Sequence, residues 1–339
     1  MKKTKIILMI SAFLFILFAT VEIILFLTQP PSSQKVEVIV TIPKGATFHT
    51  IAKELKEKGV ITNRFKFYIL ARLKKQSRKI KAGEYLLYTD MTPLFLLDTL
   101  VSGRTYLYRV TLPEGFNMYQ VADLYAAIGL IPREEFLVRC TDAVFLESLH
   151  IPALSCEGYL FPESYYFSKP VSAETILRTM VKRFEENFSD ELSYQAKEKG
   201  FTRHQLVTLA SMIEKETSVT DERSLISAVF HNRLKINMKL QSDPTVIYGL
   251  MDFDGNLKKK DLLTPTPYNT YTRKGLPEGP ISNPGRASLE AAVNPANVPY
   301  LYFVSRNNGT HYFSSTYPEH LKAVHEFQKK RIPNQPQSH

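Results

Sequence analysis

The chain of 339 residues has no tryptophan and only two cysteines, Cys140 and Cys156. Two thiols exclude a disulfide-dense scaffold and a four-thiolate zinc site, while a single bridge stays open. Without tryptophan, any aromatic surface has to come from 18 Tyr and 21 Phe. With only 14 Gly and 20 Pro, and with hydrophobic residues at 44%, neither a collagen-like nor a disordered chain is indicated. There is no Gly-x-Ser-x-Gly, and the glycine-rich stretch at 275–285 carries prolines where a phosphate loop needs Lys-Ser/Thr. His311, His320 and His325 lack a second ligand at close metal spacing, so no metal site and no cofactor is expected. The length allows about two domains with real cores.

What the sequence does have begins at the amino terminus. Lys2, Lys3 and Lys5 precede Ile6–Leu27, a run whose only charge is Glu22. As a helix that run is about 33 Å long, enough for a hydrocarbon core of roughly 30 Å. It exceeds a signal-peptide h-region and lacks a small-x-small cleavage site, so a retained anchor is expected over residues 1–28. The lysines place the amino terminus in the cytoplasm and the rest of the chain outside. Pro30-Pro31-Ser32-Ser33 reads as a stiff linker within residues 29–35.

The exported part opens with an internal repeat. Val40-Thr41-Ile42-Pro43-Lys44-Gly45 is matched 70 residues on by Val110-Thr111-Leu112-Pro113-Glu114-Gly115, and Gly59-Val60-Ile61 by Gly129-Leu130-Ile131. Each copy reads as strand, Pro-x-Gly turn, capped amphipathic helix and glycine stop. Between them, Asn63–Lys75 and Pro93–Val101 read as helices and Glu84–Thr89 as a strand. Such compact strand-and-helix units resemble LysM-like glycan-binding modules, expected here over residues 36–155. Residues 44–104 carry a net charge of +8, read as a solvated face or a contact to anionic lipid headgroups. The expected topology removes nucleic acid as a partner.

From Ser172 the pattern turns helical. Thr202-Arg203-His204-Gln205 is a capping box opening a helix in which Leu206, Leu209, Ala210 and Ile213 form an apolar stripe. Glu214 adjoins that stripe, where desolvation would keep a carboxyl protonated, as a general acid requires. Glu216 lies about 200° around the helix from it, so the two cannot form one catalytic pair. Beyond Leu240 a long irregular stretch rich in Pro, Gly, Asn, Thr and Tyr is too aromatic for disorder.

Six ordered blocks then carry a resemblance. They are Glu157-Gly158-Tyr159-Leu160-Phe161-Pro162-Glu163-Ser164-Tyr165, Leu209 to Thr217, Leu240-Gln241-Ser242-Asp243-Pro244-Thr245-Val246, Tyr268-Asn269-Thr270-Tyr271, Gly275 to Gly285, and His311-Tyr312-Phe313. Together they resemble the endolytic murein transglycosylases of the YceG-like (MltG) family, with Ser242 where that family usually has threonine. The fold implied is α+β: one transmembrane helix, small LysM-like α/β units, a mixed α+β catalytic domain over 156–329 and a loose tail over 330–339. The activity implied is nonhydrolytic cleavage of the MurNAc–GlcNAc bond of nascent peptidoglycan strands, leaving 1,6-anhydromuramoyl ends. The catalytic glutamate maps onto Glu214, acting as acid and then base. Peptidoglycan synthases are the further partners implied.

The stretch after Leu240 is expected to build the sugar subsites. Gln241, Asp243, Asn269 and Thr270 offer polar groups to the sugar, and Tyr268 and Tyr271 offer rings. Asp243 would orient Glu214 or stabilise charge at C1, and His311 would hydrogen-bond nearby. Two other readings stay open: a muramidase using Asp243 as second carboxylate, and a glycan-binding scaffold that does not cut. The cysteines read as structural.

Overall fold

A computed structural model describes residues 2–250 and 252–329, so the expected tail at 330–339 lies outside the described residues. The chain divides into two compact units: one holds residues up to Arg109 together with Tyr166–Val171, the other Val110–Tyr165 and everything from Ser172 on.

In the first unit, helix α1 (Lys2–Thr28) carries Ile6–Thr28, 23 residues long and apolar enough to cross a membrane, and only 6% of it is buried. Strands β1 (Glu37–Ile42) and β2 (Gly83–Tyr88) pair antiparallel from Glu37↔Tyr88 to Ile42↔Gly83. This register turns Val40, Ile42, Tyr85 and Leu87 into one core. Helices α2 (Phe48–Glu57), α3 (Arg64–Leu73) and α4 (Pro93–Ser102) close over it with Ile51, Leu55, Phe67, Leu96 and Leu100. Each of these helices starts at a side-chain cap. Thr47, Asn63 and Thr92 accept from the first-turn N–H groups of α2, α3 and α4. Gly103, at φ 76°, ends α4 in the left-handed region where a side chain would be strained.

Strands β3 (Tyr108–Thr111) and β4 (Ser164–Phe167), through which the chain passes between the units, pair with each other. The second unit then holds α5 (Met118–Ala127), α6 (Arg133–Cys140), α7 (Ala143–Ser148), α8 (Ala173–Asn187) and α9 (Asp190–Glu198). After them come α10 (Arg203–Glu216), α11 (Arg223–Lys235), α12 (Asp243–Gly249), α13 (Lys259–Leu263) and α14 (Arg286–Val293). The antiparallel hairpin β5 (Tyr302–Ser305) and β6 (His311–Ser314) and helix α15 (Tyr317–Val324) complete it.

The two repeat copies fold alike locally. Gly45 and Gly115 take φ of 78° and 76°, and Asn117 caps α5 as Thr47 caps α2. They nevertheless fall in different units, so the compact bodies do not divide at residue 155. The second copy is held by long-range bonds within the second unit: Leu112 N–H donates to Glu163 O at 2.8 Å and Gly115 N–H to Asn283 O at 3.0 Å.

Helix α10 is the axis of the second unit. Every residue from Leu206 to Ile213 is buried, with α11 and α14 packed against it. Fully burying a leucine or isoleucine contributes about 1.5–3 kcal/mol, so this helix is fixed firmly and can aim side chains from its last turn. The predicted capping box is complete, Thr202 and Gln205 each satisfying the other's backbone N–H. Cys140 and Cys156 are free buried thiols, joined by a Cys156 N–H to Cys140 O bond of 2.9 Å.

Candidate active site

Two glutamates leave the last turn of α10 into different surroundings. Glu214 is almost enclosed, its side chain 5% exposed. One oxygen accepts from the Gly285 N–H at the start of α14, 2.9 Å away, and the other faces the Arg223 guanidinium at 3.4 Å. Glu114 approaches the same arginine at 3.7 Å. Burial and the nearby Glu214 push the Glu114 carboxyl above the usual range, opposed by Arg223. The apolar setting expected around Glu214 is therefore not what surrounds it. Its carboxyl ties α10 to α11 and to the amino end of α14, where partial positive charge favours an acidic group.

Glu216 stands in a cavity with its carboxyl desolvated. It lines a cavity of about 280 Å³ with Arg233, Gln241, Asp243, Tyr271, Tyr302, Phe303, Tyr317 and His320. Burial drives its pKa up to about 7, the negative Asp243 pushes the same way, and the Ser242 hydroxyl and Arg233 pull back. Ser242 Oγ donates to Glu216 Oε1 at 2.5 Å, leaving Oε2 to carry a proton. Asp243 accepts from the Tyr271 hydroxyl at 2.5 Å, which fixes both side chains on the wall. Gln241 enters from a left-handed backbone at φ 48°, held by its N–H to Thr270 O at 3.2 Å. Arg233 donates to Leu301 O and Leu240 O, each at 2.6 Å, fastening this wall to the hairpin.

Of the residues expected in the groove, Gln241, Asp243 and Tyr271 thus gather around Glu216. Asn269 and Thr270 do not present polar groups to solvent; both are fully buried. Asn269 Nδ2 donates to Thr264 O at 2.7 Å and its Oδ1 accepts from Tyr271 N–H at 2.8 Å. Thr270 Oγ1 accepts from Ser242 N–H at 3.0 Å and bonds Thr245 Oγ1 at 2.8 Å. These two hold the wall that carries Ser242 and Tyr271. His311 is likewise occupied: its Nδ1 lies 2.7 Å from Glu222 Oε2, and its N–H donates to Glu222 Oε1 at 2.7 Å. It reaches the cavity only through the ring of Phe303, 5.5 Å away edge-on.

Tyr268 belongs to a larger cleft of about 1040 Å³, lined among others by Tyr119, Arg133, Leu154, Lys215, Pro244, Tyr248 and Phe253. Beneath it sits Glu157, 2% exposed. Its carboxyl accepts from Met118 N–H at 2.9 Å, the Tyr248 hydroxyl at 2.9 Å and Asn283 Nδ2 at 3.1 Å. Burial raises its pKa to about 7 against those donors. Gly158, at φ 85°, leaves no room for a side chain: a Cβ there would come within 2.5 Å of Pro280 and 2.8 Å of Val207. The sequence pattern does not place Arg233, Tyr302 or Glu216 in one cavity, as the structure does. The signal available was the Leu240–Val246 block itself, whose Ser242 bonds Glu216.

Fold and site together describe a mixed α+β protein in which one protonatable carboxyl faces amide, carboxylate and tyrosine groups inside a cavity. The chain belongs to the YceG-like family, whose sequence model matches residues 40–326. It is 34% identical over 309 residues to the endolytic murein transglycosylase of Bacillus subtilis (strain 168), covering 86% of this chain and 85% of that relative. It is 29% identical over 333 residues to the endolytic murein transglycosylase of Streptococcus pneumoniae serotype 2 (strain D39 / NCTC 7466), covering 89% of this chain and 60% of that relative. Among solved structures, the yceG-like protein lmo1499 from Listeria monocytogenes matches with a TM-score of 0.59 and 34% identity, over 86% of this chain and 100% of that one.

Proposed function

We propose that this protein is an endolytic murein transglycosylase, held by α1 at the plasma membrane with its second unit outside, and that Glu216 carries the chemistry. The observation that supports this most is the carboxyl with pKa about 7 on the wall of the cavity shared with Gln241, Asp243 and Tyr271. The names of the relatives supply the substrate, a murein glycan strand. Lys2, Lys3 and Lys5 supply the orientation.

In the reaction, protonated Glu216 gives its proton to the glycosidic oxygen between MurNAc and GlcNAc as the C1–O bond breaks. The carboxylate left behind takes the proton of the muramoyl C6 hydroxyl while that oxygen bonds C1. The ring closes to the 1,6-anhydro product and Glu216 ends protonated, as it began. One carboxyl suffices because the nucleophile is intramolecular, worth an effective concentration of about 10⁵ M or more in good alignment. Ser242 holds Glu216 in one rotamer, and the Asp243 carboxylate faces the positive charge that develops at C1. The tyrosine rings suit the C–H faces of sugars.

The test is product mass. Purified chain incubated with uncrosslinked glycan strands should release fragments about 18 Da lighter than hydrolysis would give. Hydrolysed ends would favour the muramidase reading, with Asp243 as second carboxylate, and an absence of cutting the scaffold.

The pH dependence follows from the same group. The acid must be protonated when substrate arrives, so kcat/KM should hold a plateau below about pH 7 and fall roughly tenfold per unit above it. Asp243 raises Glu216, so Asp243→Asn should move the descending limb to lower pH. A limb unmoved in that variant would detach Asp243 from the acid.

A further inference from the structure

Helix α3 is apolar on two opposite sides. Phe67, Leu70 and Ala71 face the core of the first unit. Phe65, Ile69 and Leu73, spaced four apart and so stacked on one stripe, face outward at 70%, 39% and 78% exposure. A helix with a second apolar side opposite the one it buries has a face left for another apolar surface. Arg64, Lys66, Arg72, Lys74 and Lys75 flank the outer stripe, within a region of net charge +8.

The position of α3 on α1 names the missing neighbour. Lys66 Nζ bonds Glu22 Oε2 at 2.6 Å, and its ammonium lies 5.9 Å from the Phe26 ring centre. Phe26 itself is 9% exposed, part of the core of the first unit. Glu22 lies six residues, roughly 9 Å of helix rise, before the end of α1 at Thr28. The start of α3 is therefore level with the last turns of the apolar helix and not beyond them. If α1 spans a bilayer, Phe65 and its stripe sit at the depth of the headgroups.

We infer that α3 docks on the bilayer that α1 enters, its Phe65–Ile69–Leu73 stripe at the headgroup–acyl boundary and its flanking lysines and arginines on anionic lipid phosphates. Apolar faces rimmed by basic residues bind such surfaces by burial and by attraction to negative headgroups together. Lys66 neutralises Glu22 at that depth, and long basic side chains keep their charges in the headgroup layer while their stems lie among apolar atoms. The inference rests on α1 being an anchor and does not depend on which end of it is cytoplasmic.

The absence of tryptophan gives a clean probe. Leu73→Trp and, separately, Phe13→Trp within α1 are made in the full chain and reconstituted into phosphatidylcholine–phosphatidylglycerol vesicles with brominated acyl chains. The tryptophan at 73 should emit to the blue of its position in water and lose at least about half its intensity to bromine, less so when phosphatidylglycerol is omitted. Quenching at 13 with none at 73 would overturn the docking and leave the anchor standing, whereas no quenching at either site would remove both. A blue shift at 73 without bromine quenching would assign the stripe to a second copy of the chain and overturn the inference. Equal quenching with and without phosphatidylglycerol would overturn its electrostatic half.

Discussion

Glu216→Gln should lower strand cutting by about 10³-fold or more, because one residue supplies both the acid and the base and general acid–base catalysis contributes about 10²–10⁴-fold. The amide keeps the size of the side chain and can still accept from Ser242 Oγ, so the cavity wall formed with Asp243 and Tyr271 should survive. A neutral side chain at this part-buried site also fixes the sign of the stability change. The folded-state pKa of Glu216 is raised to about 7, so its stabilising contribution is fully present below the unfolded value near 4.5 and is lost as pH rises through about 7. The inactive Glu216→Gln protein should therefore melt a few degrees above the wild type at pH 8 and close to it at pH 5. Glu214→Gln should behave oppositely. It keeps an acceptor for Gly285 N–H but removes the charge opposite Arg223, so it should lose stability while cutting stays within about tenfold of wild type.

The second large effect is expected at Glu157. Glu157→Ala leaves the Met118 N–H, the Tyr248 hydroxyl and the Asn283 amide without their acceptor in a site that is 2% exposed. Stranding buried donors costs about 1–3 kcal/mol each, with partial relief as neighbours relax, so a loss of about 3–5 kcal/mol is expected in denaturant unfolding. Glu157→Gln retains one acceptor oxygen and should lose less. The pKa of Glu157 is likewise raised to about 7, so wild-type stability should decline from below about pH 4.5 upward through pH 7, and the glutamine variant should lack that component. Equal stability of Glu157→Ala and wild type would mean that these donors find other partners.

Much of the local structure is legible in the sequence because its causes are local. Thr47, Asn63, Thr92, Ser172 and Thr202 each start a helix where the pattern predicts one, since a cap is set by neighbours in the chain. The choice between Glu214 and Glu216 is not local. The apolar stripe of Leu206, Leu209, Ala210 and Ile213 singles out Glu214, but from Leu206 to Ile213 every residue of α10 is buried, so neighbours pack on all its faces and the stripe does not tell which glutamate meets the cavity. What separates them lies far along the chain: Arg223 and Gly285 meet Glu214, while Ser242 and Asp243 meet Glu216. Asn269 and Thr270 show the same limit. Their residue types suit sugar binding as well as they suit a loop that bonds to itself, and only the packing of that loop tells the two apart. The unit boundary is hidden similarly, since Gly115 is claimed by Asn283, distant in the chain.

The most direct measurement is mass spectrometry of the fragments released from uncrosslinked glycan strands by the wild type, Glu216→Gln and Glu214→Gln at equal concentrations of folded protein. The account predicts anhydromuramoyl ends from the wild type, the same ends in reduced amount from Glu214→Gln, and none above background from Glu216→Gln. Full cutting by Glu216→Gln, or its loss in Glu214→Gln alone, would contradict it.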